Sequence, residues 1–321
     1  MTSADHPAEP DHPAEPRPGG GSTASRVQRW VLWLGPLLAA AATLIWSGNF
    51  VIARVVSGEI PPVQTAFWRW AIALAVLLPF AARGLWEHRR LIRERAPYIA
   101  LVSLLGVTLF NTLIYVAGHT TSATNLALIA AASPVAIAVF AAVGGERLSP
   151  RRITGMAVAL VAVVGLITKG DPAVLIGMDL ATGDLWMLAA MFTFAGYSAL
   201  LRRKPQELPA VVFLAATVLF GLVMLLPAQV VSLVVQGGFT PTPGNLSALL
   251  YIGAASSALA FFLWNRSVEM IGATRAGVLY YLQPVCVAAL AYLTIGEPVT
   301  GAQAVCAVLI VAGVALSSSR R

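Results

Sequence analysis

Between residues 31 and 317 long apolar stretches alternate with short polar breaks. Ten stretches stand out: 31–53, 64–82, 97–117, 122–143, 152–168, 182–201, 210–235, 246–265, 274–295 and 299–317. About 20 apolar residues at ~1.5 Å rise cover the ~30 Å hydrocarbon core of a bilayer, so each predicts a transmembrane helix. Residues 1–28 read differently. They carry DHPAEP twice in tandem, then Pro18 and three glycines, Gly19 to Gly21. Such a segment cannot bury a core and predicts a disordered cytoplasmic tail. Its His6 and His12 offer at most a weak metal pair, and a solvated tail is the favoured reading of them. The composition agrees with the pattern: 58% of residues are hydrophobic and 11% charged, against about 25% charged in soluble domains. The expectation is an all-α integral membrane protein.

Charge placement sets direction. Of the 21 Lys and Arg, all but Arg54, Arg69 and Lys169 fall in the tails and alternate loops on one side of a ten-helix arrangement. Basic residues collect on the cytoplasmic side, so both termini are expected there, in a multi-pass protein of the inner or plasma membrane. Arg26 and Arg29 before the first apolar run imitate a secretory signal, but losing that span would break the symmetry described next. No basic cluster is interleaved with aromatics, which excludes nucleic acid as a partner. Cys286 and Cys306 lie in apolar runs and lack disulfide or metal spacing. No cofactor is implied.

The second half of the chain repeats the first. Gly35 aligns with Gly183, Gly48 with Gly196, Pro61 with Pro209 and Pro79 with Pro227. Further along, Pro134-Val135 aligns with Pro284-Val285, and Glu146 with Glu297. Five spans per half is an odd number, so the halves would cross the membrane in opposite senses. Equivalent loops then face opposite sides and should differ in charge, as WEHRRLIRER (86–95) and QGGFTPTPGN (236–245) do. The predicted architecture is two inverted-topology five-helix repeats, 29–170 and 171–321. Such repeats are a hallmark of transporters, with a site at their interface near the midplane.

At this point the residues resemble a known family. Trp46 and Asn49 in the first span, Arg69 in the second, Tyr115-x-Ala117, Pro134, Glu146 and Gly155, then Trp264-Asn265, Pro284 and Glu297, are similar to the EamA-type branch of the drug/metabolite transporter superfamily. The resemblance implies cytoplasmic termini, a central cavity between the halves and transport of small metabolites, often export of amino acids. Cys306 departs from the pattern, standing where the second half should repeat Gly155.

Polar groups inside a bilayer are costly and mark candidate sites. Those expected to line a substrate cavity are Trp46, Asn49, Arg69, Asn111, Tyr115, Tyr197, Trp264, Asn265, Tyr281 and Gln283, although interhelical hydrogen bonding explains such residues too. Asn111 and Tyr115, four apart, share a helix face. Asn265 is the repeat equivalent of Tyr115, and Trp264 adjoins it, which predicts facing helices. Arg69 has two open placements: snorkelling to the outer interface, which the flanking Trp68 and Trp70 fit, or holding a substrate anion from within. Pro134 and Pro284 are hinge candidates or fixed kinks. Every acidic residue lies in the tail, a loop or a helix end, so no mid-span carboxylate relays protons or pairs a cationic drug. Glu146 and Glu297 are expected to face the positive ends of the fifth and tenth helices. The expected function is secondary transport of a small metabolite by alternating access. The alternatives are a drug or organic-anion efflux permease and, more distantly, a membrane enzyme or receptor.

Overall fold

The computed structural model describes residues 33–48, 59–121, 123–177, 181–295 and 300–318, and their regular secondary structure is entirely helical. Helical chain occupies all the predicted apolar stretches that fall within these residues. The helices are α1 (Trp33–Gly48), α2 (Pro62–Glu87), α3 (Ala96–Gly118), α4 (Asn125–Val143) and α5 (Pro150–Ile167). They continue with α6 (Thr182–Arg203), α7 (Ala210–Gln236), α8 (Pro243–Ile271), a broken α9 over 273–295, and α10 (Gly301–Ser318). From α2 to α8, seven are long and apolar enough to cross a membrane. Asn49, Arg54, Glu297 and the 1–28 tail lie outside the described residues.

Local chemistry sets the helix ends. Pro62, Pro150 and Pro243 open α2, α5 and α8, where a missing N–H costs nothing. Ser149 and Thr242 cap the last two through their side-chain oxygens. Gly272, at φ +84°, alone separates α8 from α9; a side chain there would be strained. The stretch WEHRRLIRER, expected as a loop, is mostly helical: α2 runs on to Glu87 and a short helix covers Arg89–Glu94. Ion pairs Arg83–Glu87 and Arg90–Glu94, one turn apart, support these exposed turns.

Two helices break at corresponding places. In α4 a turn at Ala132 separates Ala123–Ala131 from Ser133–Val143, just before Pro134. In α9 the 3₁₀ turn Tyr280–Leu282 separates Ala273–Leu279 from Gln283–Ile295, just before Pro284. Each proline opens the helix piece that follows it, as its ring and missing N–H require. Pro79 and Pro227, by contrast, lie inside continuous helices. A second correspondence is a π-helical stretch at Leu104–Leu109 in α3 and at Tyr251–Leu259 in α8.

Contacts give the helix directions. In α1 and α8, Ser267 Oγ donates to the Gly35 carbonyl and Tyr251 Oη to that of Ile45, so the two run antiparallel. The same holds for α2 with α7, where Gln64 meets Ser232 and Gly84 meets Val212. In α3 and α6, Gly183 abuts the Ala117 carbonyl and Tyr98 Oη donates to that of Leu200. Helices α2 and α8 run parallel, with Ile60 beside Leu249 and Ile252, and Arg69 beside Ser257. So do α3 and α7, through Tyr98 on Phe213 and Thr108 on Gly221. All of these pairings fit a chain that reverses at each successive helix.

The closest crossing is α5 on α10. A Cβ placed on Gly155 would lie 2.6 Å from Ser317 N and 2.7 Å from Gly313 O. Small residues let transmembrane helices approach to backbone contact, where packing rather than hydrophobicity drives association. The sequence departure at Cys306 falls opposite Gly165, not Gly155; Gly313 preserves the close contact. Outward faces carry exposed apolar side chains such as Phe80, Val143, Val161 and Val234, as lipid contact requires.

We expect Gly155→Val or Gly313→Val to cost about 1–3 kcal/mol by overpacking and to lower the thermal unfolding midpoint of the purified protein. Gly165→Ala, opposed only by the Cys306 Sγ at 3.0 Å, should be milder.

Candidate functional site

Arg69 lies well inside α2, and only 2% of its surface is exposed. At about 100° per residue, Trp68 turns outward while Arg69 and Trp70 turn into the bundle. Snorkelling is therefore not the placement seen, and Trp70, fully buried, is not part of an interfacial belt. The guanidinium Nε donates to Ser257 Oγ at 2.8 Å. Its Nη1 donates to Asn111 Oδ1 and to Tyr115 Oη, each also at 2.8 Å. Thus α2, α3 and α8 meet on one charge. The rings of Trp70 and Tyr115 lie 5.5 and 5.8 Å from its Cζ, within cation–π range.

The two π-helical stretches place these partners. Asn111 and Tyr115 follow the first on the same face of α3, and Ser257 lies within the second. Wide turns of this kind alter which residues face inward and recur at functional sites. Ser257 Oγ also donates 2.8 Å to the Ile252 carbonyl, five residues back. Ser257 was missed by sequence reasoning, because a serine pair in an alanine-rich span looks like ordinary small-residue packing. Gly106 and Gly253, one in each wide turn, are a sequence correspondence whose meaning emerges only with the structure.

A second group gathers on the other side of Trp70 and Phe261. Trp46, Phe194, Phe261, Trp264 and Tyr280 pack ring on ring, with Trp46 5.4 Å from both Trp264 and Phe261. Their polar atoms are mostly used: Trp46 Nε1 donates to the Ser256 carbonyl, Trp264 Nε1 to Ser198 Oγ, and Tyr197 Oη to Asn265 Oδ1 at 2.7 Å. Ser47 Oγ donates to the Gln283 carbonyl. Asn265 Nδ2, Tyr281 Oη and Gln283 Nε2 are buried without a hydrogen-bond partner among the described residues. The expected facing of Tyr115 and Trp264 takes a different form: Tyr115 joins Arg69, while Trp264 joins the aromatic group. The two groups connect through Trp70 on Phe261 at 4.9 Å and Phe110 on Phe194 at 4.5 Å.

Two other polar places have structural explanations. Asp184, in the first turn of α6, accepts from the Ala181 N–H, Asn125 Nδ2 and Thr121 Oγ1, which fastens the α3–α4 connection to α6. At the opposite end, a cavity of about 480 Å³ is lined by Glu146, Arg152, Arg202, Lys204, Glu269 and Arg275 among others. Glu146 pairs with Arg152 at 3.5 Å and Arg202 at 3.0 Å, so it joins α5 to α6. The helix-end role expected of it belongs instead to Ser149, whose oxygen reaches the Arg152 N–H. Lys204, Glu269 and Arg266 tie α6 to the end of α8 in the same way.

Comparison with known proteins agrees with this architecture. The model of the EamA-like transporter family matches twice, at residues 33–168 and 181–319. An "Uncharacterized transporter" of Archaeoglobus fulgidus is 28% identical over 89% of this chain and 97% of its own. A "Probable amino-acid metabolite efflux pump" of Salmonella typhimurium is 28% identical, covering 86% and 92%. A "Probable terminal-alkyne amino-acid exporter" of Streptantibioticus cattleyicolor is 28% identical, covering 86% and 90%. A solved crystal structure has the same fold at a TM-score of 0.72, with 24% identity over 88% of this chain and 96% of that one. With its apolar helices, this is a multi-pass membrane protein, and the chain belongs to the EamA-like transporter family.

Proposed function

We propose that this protein is a secondary transporter that exports a small metabolite, an amino acid or a related compound, across the cell membrane by alternating access. In this reading ten spans form two inverted five-helix repeats, 29–170 and 171–321, with both termini in the cytoplasm. The observation that carries it is the pairing pattern. Helix α2 packs antiparallel on its repeat equivalent α7, and α5 on α10. The pair α1–α8 corresponds to α6–α3, and α2–α8 to α7–α3. The proline breaks and the wide turns occur in corresponding helices. Two related halves can exchange conformations at similar energy, one arrangement open inward and its mirror open outward.

The polar residues enclosed between the halves supply the substrate site, with Trp46, Arg69, Asn111, Tyr115, Tyr197, Trp264, Asn265, Tyr281 and Gln283 around it. Asn49 belongs to the same proposal by sequence. Pro134 and Pro284 serve as hinges. Amino-acid export is supported by the names of two relatives and by a basic, amide-rich interior. Family membership points to a transporter rather than an enzyme. A permease for organic anions is the second reading, favoured by the buried Arg69.

Counterflow of labelled amino acids into proteoliposomes tests the proposal. We expect saturable accumulation against preloaded unlabelled solute; no flux for any member of a broad metabolite panel would overturn it. Tyr115→Ala should lower that flux about tenfold at near-normal membrane abundance. Trp264 is fully enclosed, so Trp264→Phe is the milder probe and should change the half-saturating concentration. Unchanged kinetics would remove that residue from the site.

A further inference from the structure

The groups that receive hydrogen bonds from Arg69 are neutral, and none of the described carboxylates forms an ion pair with it. Guanidinium carries five N–H donors. Three are used by Ser257, Asn111 and Tyr115 through Nε and Nη1, and Nη2 makes no hydrogen bond among the described residues. Asn111 is only 4% exposed. Its oxygen must face Nη1, because the flipped amide would set N–H against N–H. Its Nδ2 is consequently turned away, buried and unpartnered among the described residues. Tyr115 Oη is occupied as an acceptor, so its proton remains to be given. Ser257 has already passed its own to the Ile252 carbonyl. Trp70 Nε1, next along the chain, is likewise buried without a partner among the described residues.

The place is therefore cationic and rich in unspent donors. A buried charge without a counter-charge is costly, and so is each orphaned donor. One kind of ligand relieves both: a compact anionic group with two acceptor oxygens, which can take the remaining Nη2 N–H groups and the proton of Tyr115. A phosphate dianion would exchange one net buried charge for another, whereas a carboxylate group neutralises the guanidinium itself, and an amino acid's ammonium is left to groups outside this cluster.

We propose that Arg69, with Asn111 and Tyr115, binds the ionised carboxylate of the transported solute, so that the substrate class is carboxylic acids, including amino acids, and not amines or neutral metabolites. This rests on the transporter reading above. It assigns the orientation of the solute, carboxylate toward α2 and α3, and the basis of its selection.

The test uses the full-length protein in proteoliposomes and a panel holding amino acids, simple carboxylic acids, their carboxamides, the corresponding amines, and sugars. The best-carried solute should bear a carboxylate, and its carboxamide should be carried at least about tenfold less well. A best-carried solute without a carboxylate, or equal carriage of acid and amide, overturns the proposal. No flux of anything overturns the transporter reading instead. Arg69→Gln should abolish the preference for the acid. Because that variant risks misfolding, Asn111→Asp is the decisive one. It places a carboxylate of the same shape against Nη1, where it competes as an internal counter-ion. Thermal stability should hold or rise while flux of the acid falls at least about tenfold. Wild-type flux in Asn111→Asp overturns the assignment, since a purely structural Arg69 would be served as well by the new ion pair.

Discussion

One guanidinium held between three helices organises the interior of this protein. In water an arginine asks little of its neighbours. In an apolar bundle it must be surrounded by acceptors, and the chain can supply them only from helices that already satisfy their own backbones. Asn111 and Tyr115 come from α3, and Ser257 from α8. Meeting that demand sets the approach of α2, α3 and α8 and the rotation of each about its axis. The aromatic group around Trp46 and Trp264 then fills the space on the far side of Trp70 and Phe261.

Much of this was legible in the sequence. Lipid exposure makes apolar length the dominant signal, so the helices were readable from hydropathy alone. Arg69, Asn111 and Tyr115 stood out because polar side chains are rare where they occur, and the four-residue spacing of the last two put them on one face. What was not legible depended on small departures from regular helix. Ser257 acquires its role from a wide turn that no composition announces. Trp70 looked like an interfacial aromatic because its burial depends on a rotation of about 200° from Trp68, which hydropathy does not resolve. Glu146 was misread because proximity along the chain favoured α5, whereas its Arg202 partner comes from far along the sequence.

One end of the bundle is built differently from its middle. Glu146 and Glu269 each hold two basic groups, joining α5 to α6 and α6 to α8 with pairs that are partly open to water. Such contacts form and break at modest free-energy cost. The α5–α10 contact, made of backbone against backbone at Gly155 and Gly313, has no such freedom. The bundle thus combines a backbone-to-backbone seam on one side with side-chain ion pairs at one end.

The wide turns in α3 and α8 carry a consequence for how this interior is inherited. A π-helical turn accommodates one residue more than the α-helix it interrupts. Winding 104–109 as regular α-helix with the same residues would turn all that follows by about 100°, carrying Asn111 and Tyr115 out of register with Arg69, whereas losing one residue together with the wide turn would leave them facing it. The same holds for the residues after 251–259. The geometry of the site is thus written partly in the backbone, as a phase, and a relative that kept every polar side chain but wound these turns as regular α-helix would lose the site.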